Sequence, residues 1–170
     1  MEIEILKGDI TQVKADAIVN AADSRLSMGG GVARAIREAG GQKFYEKSRS
    51  ILRDEYPDGL PTGESLLTPS ESMNNCYYVI HTVGPLYGKD KPGVELLKKS
   101  YLNSLRIARE KKLTSIAFPS ISTGIFGYPI DEAVHVVKKV LGEWNHDLPK
   151  VVKLVLHSQM DYNIYRKEFE

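Results

Sequence analysis

Short apolar runs alternate with longer amphipathic segments along this chain. Near the start, Ile3 and Ile5 alternate with Glu2 and Glu4, a period of two that predicts a half-exposed β-strand. Five further runs are short and largely apolar, and we interpret them as strands: residues 17–19, 65–68, 78–82, 115–118 and 151–156.

The segments between these runs have helical spacing. Over residues 94–110 and again over 130–141, apolar side chains recur every three or four positions and share one face, and Pro129 suits the start of the second helix. Residues 32–39 and 42–53 predict two more helices, separated by Gly40 and Gly41, and a last short helix follows Asp161. Helices covering both faces of a sheet of about six strands predict an α/β fold, a three-layer α/β/α sandwich.

The composition is that of an ordinary globular protein, with 42% hydrophobic and 26% charged residues, and we expect one domain over residues 1–170. Basic and acidic residues number 23 and 22, so the formal charge of +1 argues against nucleic acid as the main partner. A single cysteine, Cys76, excludes an intrachain disulfide and suits a reducing compartment.

No apolar run approaches the ~20 residues of a membrane-spanning helix, and the first residues lack the pattern of a signal peptide. His81, His135 and His146 show no metal-ligand spacing with carboxylates or with Cys76. We therefore expect a cytoplasmic, monomeric protein with no membrane partner, no metal and no cofactor.

Two glycine-rich segments each stand between a predicted strand and the helix that follows it. In residues 20–32, three consecutive glycines (Gly29, Gly30 and Gly31) let the backbone approach a ligand, and amides at a helix start can bind an anion. A flexible loop without a ligand is the alternative. Neither the Walker motif nor the dinucleotide-binding glycine motif fits this segment, which argues against a P-loop hydrolase.

The second segment, residues 119–129, offers glycines and small hydroxyl side chains, with Ile125 and Phe126 as apolar cover for a sugar or base. Ligands of open α/β sheets lie in such loops, at the carboxyl ends of strands. Two anion-binding loops in one sheet predict a ligand with a diphosphate in its middle.

Asp9 follows the first predicted strand and has two interpretations. Its spacing to Thr11 favours a turn or helix cap. A carboxylate at the rim of a pocket would equally accept a hydrogen bond from an exocyclic amine such as that of adenine.

Taken together, these segments resemble the macro domain family. The matching stretches occur in the family's order and spacing over nearly the whole chain: residues 8–11 (GDIT), 16–22 (DAIVNAA), 29–33 (GGGVA), 80–85 (IHTVGP) and 122–127 (STGIFG). Each stretch alone is weak evidence, but five in order are specific.

The resemblance implies a mixed central sheet and a pocket for ADP-ribose, free or linked to a protein. It implies that Asp9 accepts the adenine amine, that the Ile10 amide helps to place the ring, and that Phe126 packs on the distal ribose. His157 lies where relatives often place an aromatic beside adenine, with an ordinary surface histidine as the alternative. The other expected ligand contacts lie in the two glycine-rich segments: Ala21, Asp23, Gly29, Gly30, Gly31, Val32, Ser122, Thr123, Gly124 and Ile125.

Two positions depart from the family's pattern. Asp23 replaces the second Asn of the usual Asn-Ala-Ala-Asn, and Ala33 stands where MacroD-type hydrolases carry Asp. The Asp23 carboxylate can accept hydrogen bonds from ribose hydroxyls but cannot donate them, and its charge repels a diphosphate unless loop amides offset it. We therefore expect binding and leave catalysis open, with Asp23 as the candidate general base.

Several functions fit this resemblance. The domain is either a reader of ADP-ribose or a hydrolase of ADP-ribosyl esters, such as ADP-ribosylated Asp and Glu side chains or O-acetyl-ADP-ribose. The alternatives are a phosphatase of ADP-ribose 1″-phosphate, a poly(A)- or RNA-binding module without catalysis, and a domain that keeps the fold but has lost its ligand through Asp23.

Overall fold

Strands and helices alternate along the computed structural model, which describes all of residues 1–170. The strands are β1 (Glu2–Lys7), β2 (Ala17–Ala21), β3 (Ser65–Pro69), β4 (Tyr78–Thr82), β5 (Ser115–Phe118) and β6 (Val151–Leu156). The helices are α1 (Gly31–Glu55), α2 (Gly93–Glu110), α3 (Ile130–Glu143) and α4 (Gln159–Phe169), and one turn of 3-10 helix covers Ile10–Gln12.

The six strands form one mixed sheet in the order β1-β6-β5-β2-β4-β3. Only β3 runs antiparallel to its neighbour, and every other pair is parallel. Helix α1 packs on one face, and α2, α3 and α4 pack on the other. The predicted three-layer α/β/α sandwich with a mixed sheet is confirmed, and all six strands lie where the apolar runs predicted them.

The helix predictions differ from the structure in detail. Residues 32–39 and 42–53 form the two arms of the single element α1, which is kinked at Gly41 (φ 83°, ψ 178°). A side chain would be strained at this φ, so glycine permits the kink. Helix α4 begins before Asp161, because Ser158 caps it by accepting a hydrogen bond from the Asp161 amide (3.1 Å). No helix of the structure has the length and apolarity needed to cross a membrane.

Each face of the sheet has its own apolar core. On the side of α2 and α3, Leu97, Tyr101 and Val137 pack with Phe118 of β5. On the side of α1, the buried side chains include Ile36, Phe44 and Leu52. Because β2 is completely buried from Ala17 to Asn20, both cores meet on this central strand, and its position in the fold is tightly fixed.

A chain of polar side chains crosses the core beneath α1. Asn20 Nδ2 lies 3.0 Å from Nδ1 of His81, and Nε2 of His81 lies 2.9 Å from Thr68 Oγ1. Ser48 extends the chain by donating to Thr68 Oγ1 (3.3 Å), and the Phe44 ring stacks on the imidazole. Complete burial lowers the pKa of His81 to about 3, so its ring is neutral in the folded protein.

We predict that His81 makes the protein acid-sensitive well above pH 3. In the unfolded chain His81 takes up a proton below its ordinary pKa of about 6.5, whereas in the folded protein it does not. Above about pH 6.5 the protonation of His81 does not affect the free energy of unfolding. As the pH falls below that value the free energy of unfolding decreases, and at pH 5 the loss is about 2 kcal/mol. Denaturant titrations at several pH values measure this slope.

His81→Gln removes the titrating ring and should flatten that slope, besides lowering stability overall. His157→Gln is the control, because His157 is exposed and makes no hydrogen bond within the chain. Equal pH slopes for wild type and His81→Gln would contradict the prediction.

Candidate functional site

The parallel strands end at one edge of the sheet, and the loops that leave them form a cleft. Strands β2 and β5 are neighbours, so the loop from β2 to α1 faces the loop from β5 to α3. Strands β1 and β6 end side by side, with Lys7 opposite Leu156 in the register, so Asp9 and His157 lie further along the same edge.

The cleft consists of two adjoining cavities. The first has a volume of about 240 Å³ and lies between the two glycine-rich loops. The second, of about 420 Å³, lies beside the ends of β1 and β6. Four residues line both cavities, which therefore form one continuous cleft: Gly31, Val32, Ser120 and Gly124.

The structure brings every residue that the sequence suggested as a ligand contact to this cleft. Most of them line the first cavity: Ala21, Asp23, Gly29, Gly30, Gly31, Val32, Ser122, Gly124, Ile125 and Phe126. The others line the second cavity: Asp9, Ile10, Thr123 and His157. Ile125 is largely open to solvent, since 92% of its surface is exposed.

Two runs of backbone amides at this cleft are unpaired. In the first loop, the amides from Gly29 to Ala33 donate no hydrogen bond within the chain. In the second loop, the same is true of the amides from Ser122 to Phe126. Backbone N–H groups in folded proteins nearly always have a partner, in the protein or in solvent, so two such runs on one cleft are available to a ligand.

Positive charge at the cleft comes from the backbone, because the charged side chains that line it are all carboxylates: Asp9, Asp23 and Asp161. No Lys or Arg lines either cavity. The first turn of α1 contains no acidic residue, and its N-cap, Gly30, provides no side-chain cap. The positive end of the α1 dipole is thus directed to the cleft with no acidic side chain in the first turn of the helix itself, which favours an anionic group there.

Asp23 lines the first cavity, but its carboxylate is bound by its own loop. Oδ1 accepts hydrogen bonds from the amides of Arg25 and Ser27, each at 3.0 Å, and Oδ2 accepts one from the Ser27 hydroxyl. These donors hold the loop closed on itself. The carboxylate of Asp23 therefore has amide partners of its own, separate from the unpaired amides of Gly29 to Ala33.

Asp9 acts as the cap that its spacing to Thr11 favoured. Its Oδ1 accepts hydrogen bonds from the Thr11 amide (2.9 Å) and the Thr11 hydroxyl (2.7 Å), while Oδ2 has no partner within the chain. The side chain is exposed at the cavity, and the amide of the adjacent Ile10 is also unpaired. The cap thus uses one oxygen of Asp9 and leaves the other without a partner at the cavity. His157 is exposed at the same cavity.

Sequence reasoning assigned no role to Gly84, which lines the first cavity at the end of β4. Gly84 packs against Ser122, a buried residue with positive φ (67°) whose hydroxyl has no hydrogen-bond partner. A Cβ on Gly84 would lie 2.5 Å from Ile121 Cγ2 and closer still to Ser122 Oγ. The Gly-Pro pair directly after a predicted strand was the available signal, but the contact is between residues distant in sequence.

We predict that Gly84→Ala destabilises the protein by about 1–3 kcal/mol, because the added methyl overpacks the second loop. Thermal or chemical denaturation measures the loss. Gly142→Ala in α3 is the matched control, since its Cβ would meet nothing within 4 Å and alanine favours a helix. Equal stability of the Gly84 variant and the control would contradict the close approach.

Known proteins share this architecture and much of this sequence. The family model described as Macro domain matches residues 19–137. A macro domain-containing protein of Caldanaerobacter subterraneus subsp. tengcongensis is 40% identical over 171 residues, which cover 99% of this chain and 96% of that protein.

Two solved structures are similar as well. A variant of the Oceanobacillus iheyensis macrodomain with ADPR has a TM-score of 0.92 at 39% identity, covering 98% of this chain and 91% of that one. The Trypanosoma brucei macrodomain in complex with ADP-ribose has a TM-score of 0.86 at 32% identity, covering 99% of this chain and 69% of that one. The matched family model, the sequence identity and the shared fold together show that this chain belongs to the macro domain family.

Proposed function

We propose that this protein binds ADP-ribose, either free or linked to another protein. The observation that carries the proposal is the cleft between two loops whose backbone amides are unpaired. A diphosphate offers oxygen acceptors on both sides, so amides from two facing loops can bind it without a basic side chain. The macrodomains of Oceanobacillus iheyensis and Trypanosoma brucei, solved with ADPR and ADP-ribose, support this choice of ligand.

The two cavities suggest how the ligand lies. Adenine occupies the second cavity, where Oδ2 of Asp9 accepts from the amine and His157 borders the ring. The diphosphate lies at the junction of the cavities, near Gly31 and Gly124. The distal ribose then reaches the first cavity, between Asp23 and Phe126.

We predict that Asp9→Asn weakens ADP-ribose binding about tenfold. The variant keeps an oxygen to cap Thr11, but the position of Oδ2 becomes an amide that donates towards the adenine amine. Calorimetric titration should show a similar loss for AMP, which shares the adenine group. Asp147→Asn, at an exposed residue in the loop before β6, controls for net charge. Unchanged affinity in the Asp9 variant would remove Asp9 from the adenine site.

Hydrolysis of an ADP-ribosyl ester is the second candidate function, because Asp23 lies on the cavity proposed for the distal ribose. The bond to be broken, between that ribose and an Asp or Glu side chain or an acetyl group, would then lie near this carboxylate. Asp23 would orient or deprotonate the attacking water through Oδ2, which accepts one hydrogen bond within the chain and has a second lone pair. We also propose that the protein acts in the cytoplasm and that its oligomeric state is a monomer.

We predict that Asp23→Asn separates binding from turnover. Asparagine keeps an acceptor for the loop amides and removes a negative charge near the diphosphate, so ADP-ribose affinity is maintained or improved. Turnover of an ADP-ribosylated glutamate peptide or O-acetyl-ADP-ribose should fall by about 100-fold if Asp23 is the base. ADP-ribose 1″-phosphate belongs in the same substrate panel, to test for phosphatase activity.

Asp54→Asn, at an exposed residue near the end of α1, is the control for the charge change. If Asp23→Asn and Asp23→Ala both turn over the esters as fast as wild type, Asp23 has no catalytic role. If the wild type binds ADP-ribose but hydrolyses none of these substrates, the protein is a reader of ADP-ribose rather than a hydrolase.

A further inference from the structure

Three side chains of α1 form a stacked cluster beside the first loop, which we call the arginine–tyrosine cluster: Arg37, Tyr45 and Arg49. The Arg37 guanidinium lies 3.8 Å from the centroid of the Tyr45 ring, and that of Arg49 lies 5.3 Å from it. Arg49 also donates to the Tyr45 hydroxyl (3.3 Å). The kink at Gly41 separates Arg37 from the other two, so the cluster joins both arms of α1.

The two arginines of the cluster have no carboxylate partner. Neither forms an ion pair, whereas three of the other four basic residues of α1 do: Arg34 pairs with Glu38, and Lys43 and Lys47 pair with Glu71. From their distances to one ring, the two guanidinium groups are at most about 9 Å apart. Two unpaired like charges held this close, with planar donor groups fixed by stacking, favour a carboxylate or phosphate.

The cluster is connected to the end of the cleft where the distal ribose is proposed to lie. The Tyr45 hydroxyl donates to the Ser27 carbonyl (3.4 Å), and Ser27 in turn donates through its amide and hydroxyl to the carboxylate of Asp23. A protein linked to the distal ribose leaves the cleft at this end. At about 3.3 Å per residue, an extended chain needs only a few residues to pass from Asp23 to the cluster.

We propose that the arginine–tyrosine cluster is a docking surface for acidic residues that flank the modified position of an ADP-ribosylated protein. This inference rests on the proposed function and adds to it a preference for modified proteins that carry acidic residues next to the linked residue. Carboxylates within about four positions of the linked residue would pair with Arg37 and Arg49. The near-neutral charge of the whole chain fits a local acidic contact better than a long polyanion.

The test uses free ADP-ribose and two peptides that carry ADP-ribose through a hydrolysis-resistant amide. One peptide has glutamates on both sides of the linked residue, and the other has glutamines. We expect the wild type to bind the glutamate peptide about three- to tenfold more tightly, a preference that high salt abolishes. In the double variant Arg37→Gln, Arg49→Gln the two peptides should bind equally, while free ADP-ribose binds as in wild type.

The matched control is Arg109→Gln with Lys139→Gln, which removes two charges from exposed residues of α2 and α3 on the opposite face of the sheet. This variant should keep the full glutamate preference. Unchanged binding of free ADP-ribose by the Arg37 and Arg49 variant shows that it is folded, so a lost preference is not a loss of structure.

Two results would overturn the proposal: no glutamate preference in the wild type, or a preference that survives in the Arg37 and Arg49 variant. In the second case, a loss of affinity of that variant for a short ADP-ribose polymer would assign the cluster to a second nucleotide unit. Failure of the wild type to bind free ADP-ribose is a separate outcome, because it refutes the proposed function itself and this inference with it.

Discussion

The parallel pairing of β2 with β4 and β5 is the constraint on which the cleft depends. Strand β2 lies in the middle of the sheet, and its residues from Ala17 to Asn20 are completely buried between the two cores. Because its neighbours run parallel to it, their carboxyl ends meet at one edge, and both glycine-rich loops leave from there. A shift of β2 by one residue would move its buried side chains to the wrong face and separate the loops.

The proposed binding mode uses no basic side chain. Its proposed donors are the amides of the two loops and the start of α1, while the carboxylate of Asp23 accepts hydrogen bonds from the amides of Arg25 and Ser27. Backbone donors require close approach, and the run of three glycines fits this proposal, since a side chain there would stand between amide and ligand. Unlike a lysine, donors fixed by the fold need little ordering when the ligand binds.

Much of the fold was predictable from the sequence because it depends on local patterns. Apolar runs placed all six strands, and the spacing of apolar residues placed α2 and α3. The macro domain resemblance supplied the mixed sheet and the ligand, which spacing alone could not. The cap at Asp9 was also predictable, because its spacing to Thr11 is local in the sequence.

The features that the sequence did not reveal depend on contacts between distant residues. Gly84 matters because Ser122 and Ile121 pack against it, and nothing at position 84 itself indicates them. The chain from Asn20 through His81 to Thr68 depends on the register of three strands. The stack of Arg37 on Tyr45 joins residues on opposite sides of the kink at Gly41, eight positions apart, which a regular helical pattern does not indicate.

The central claim is that unpaired amides of two facing loops bind ADP-ribose. An amide-resolved NMR titration of the ¹⁵N-labelled protein with ADP-ribose tests it most directly. The account predicts that the amides of residues 29–33 and 122–126, together with Ile10, shift in parallel and saturate at one equivalent, while those of α2 do not respond. Binding that leaves either loop unperturbed, or no binding at all, would contradict the claim.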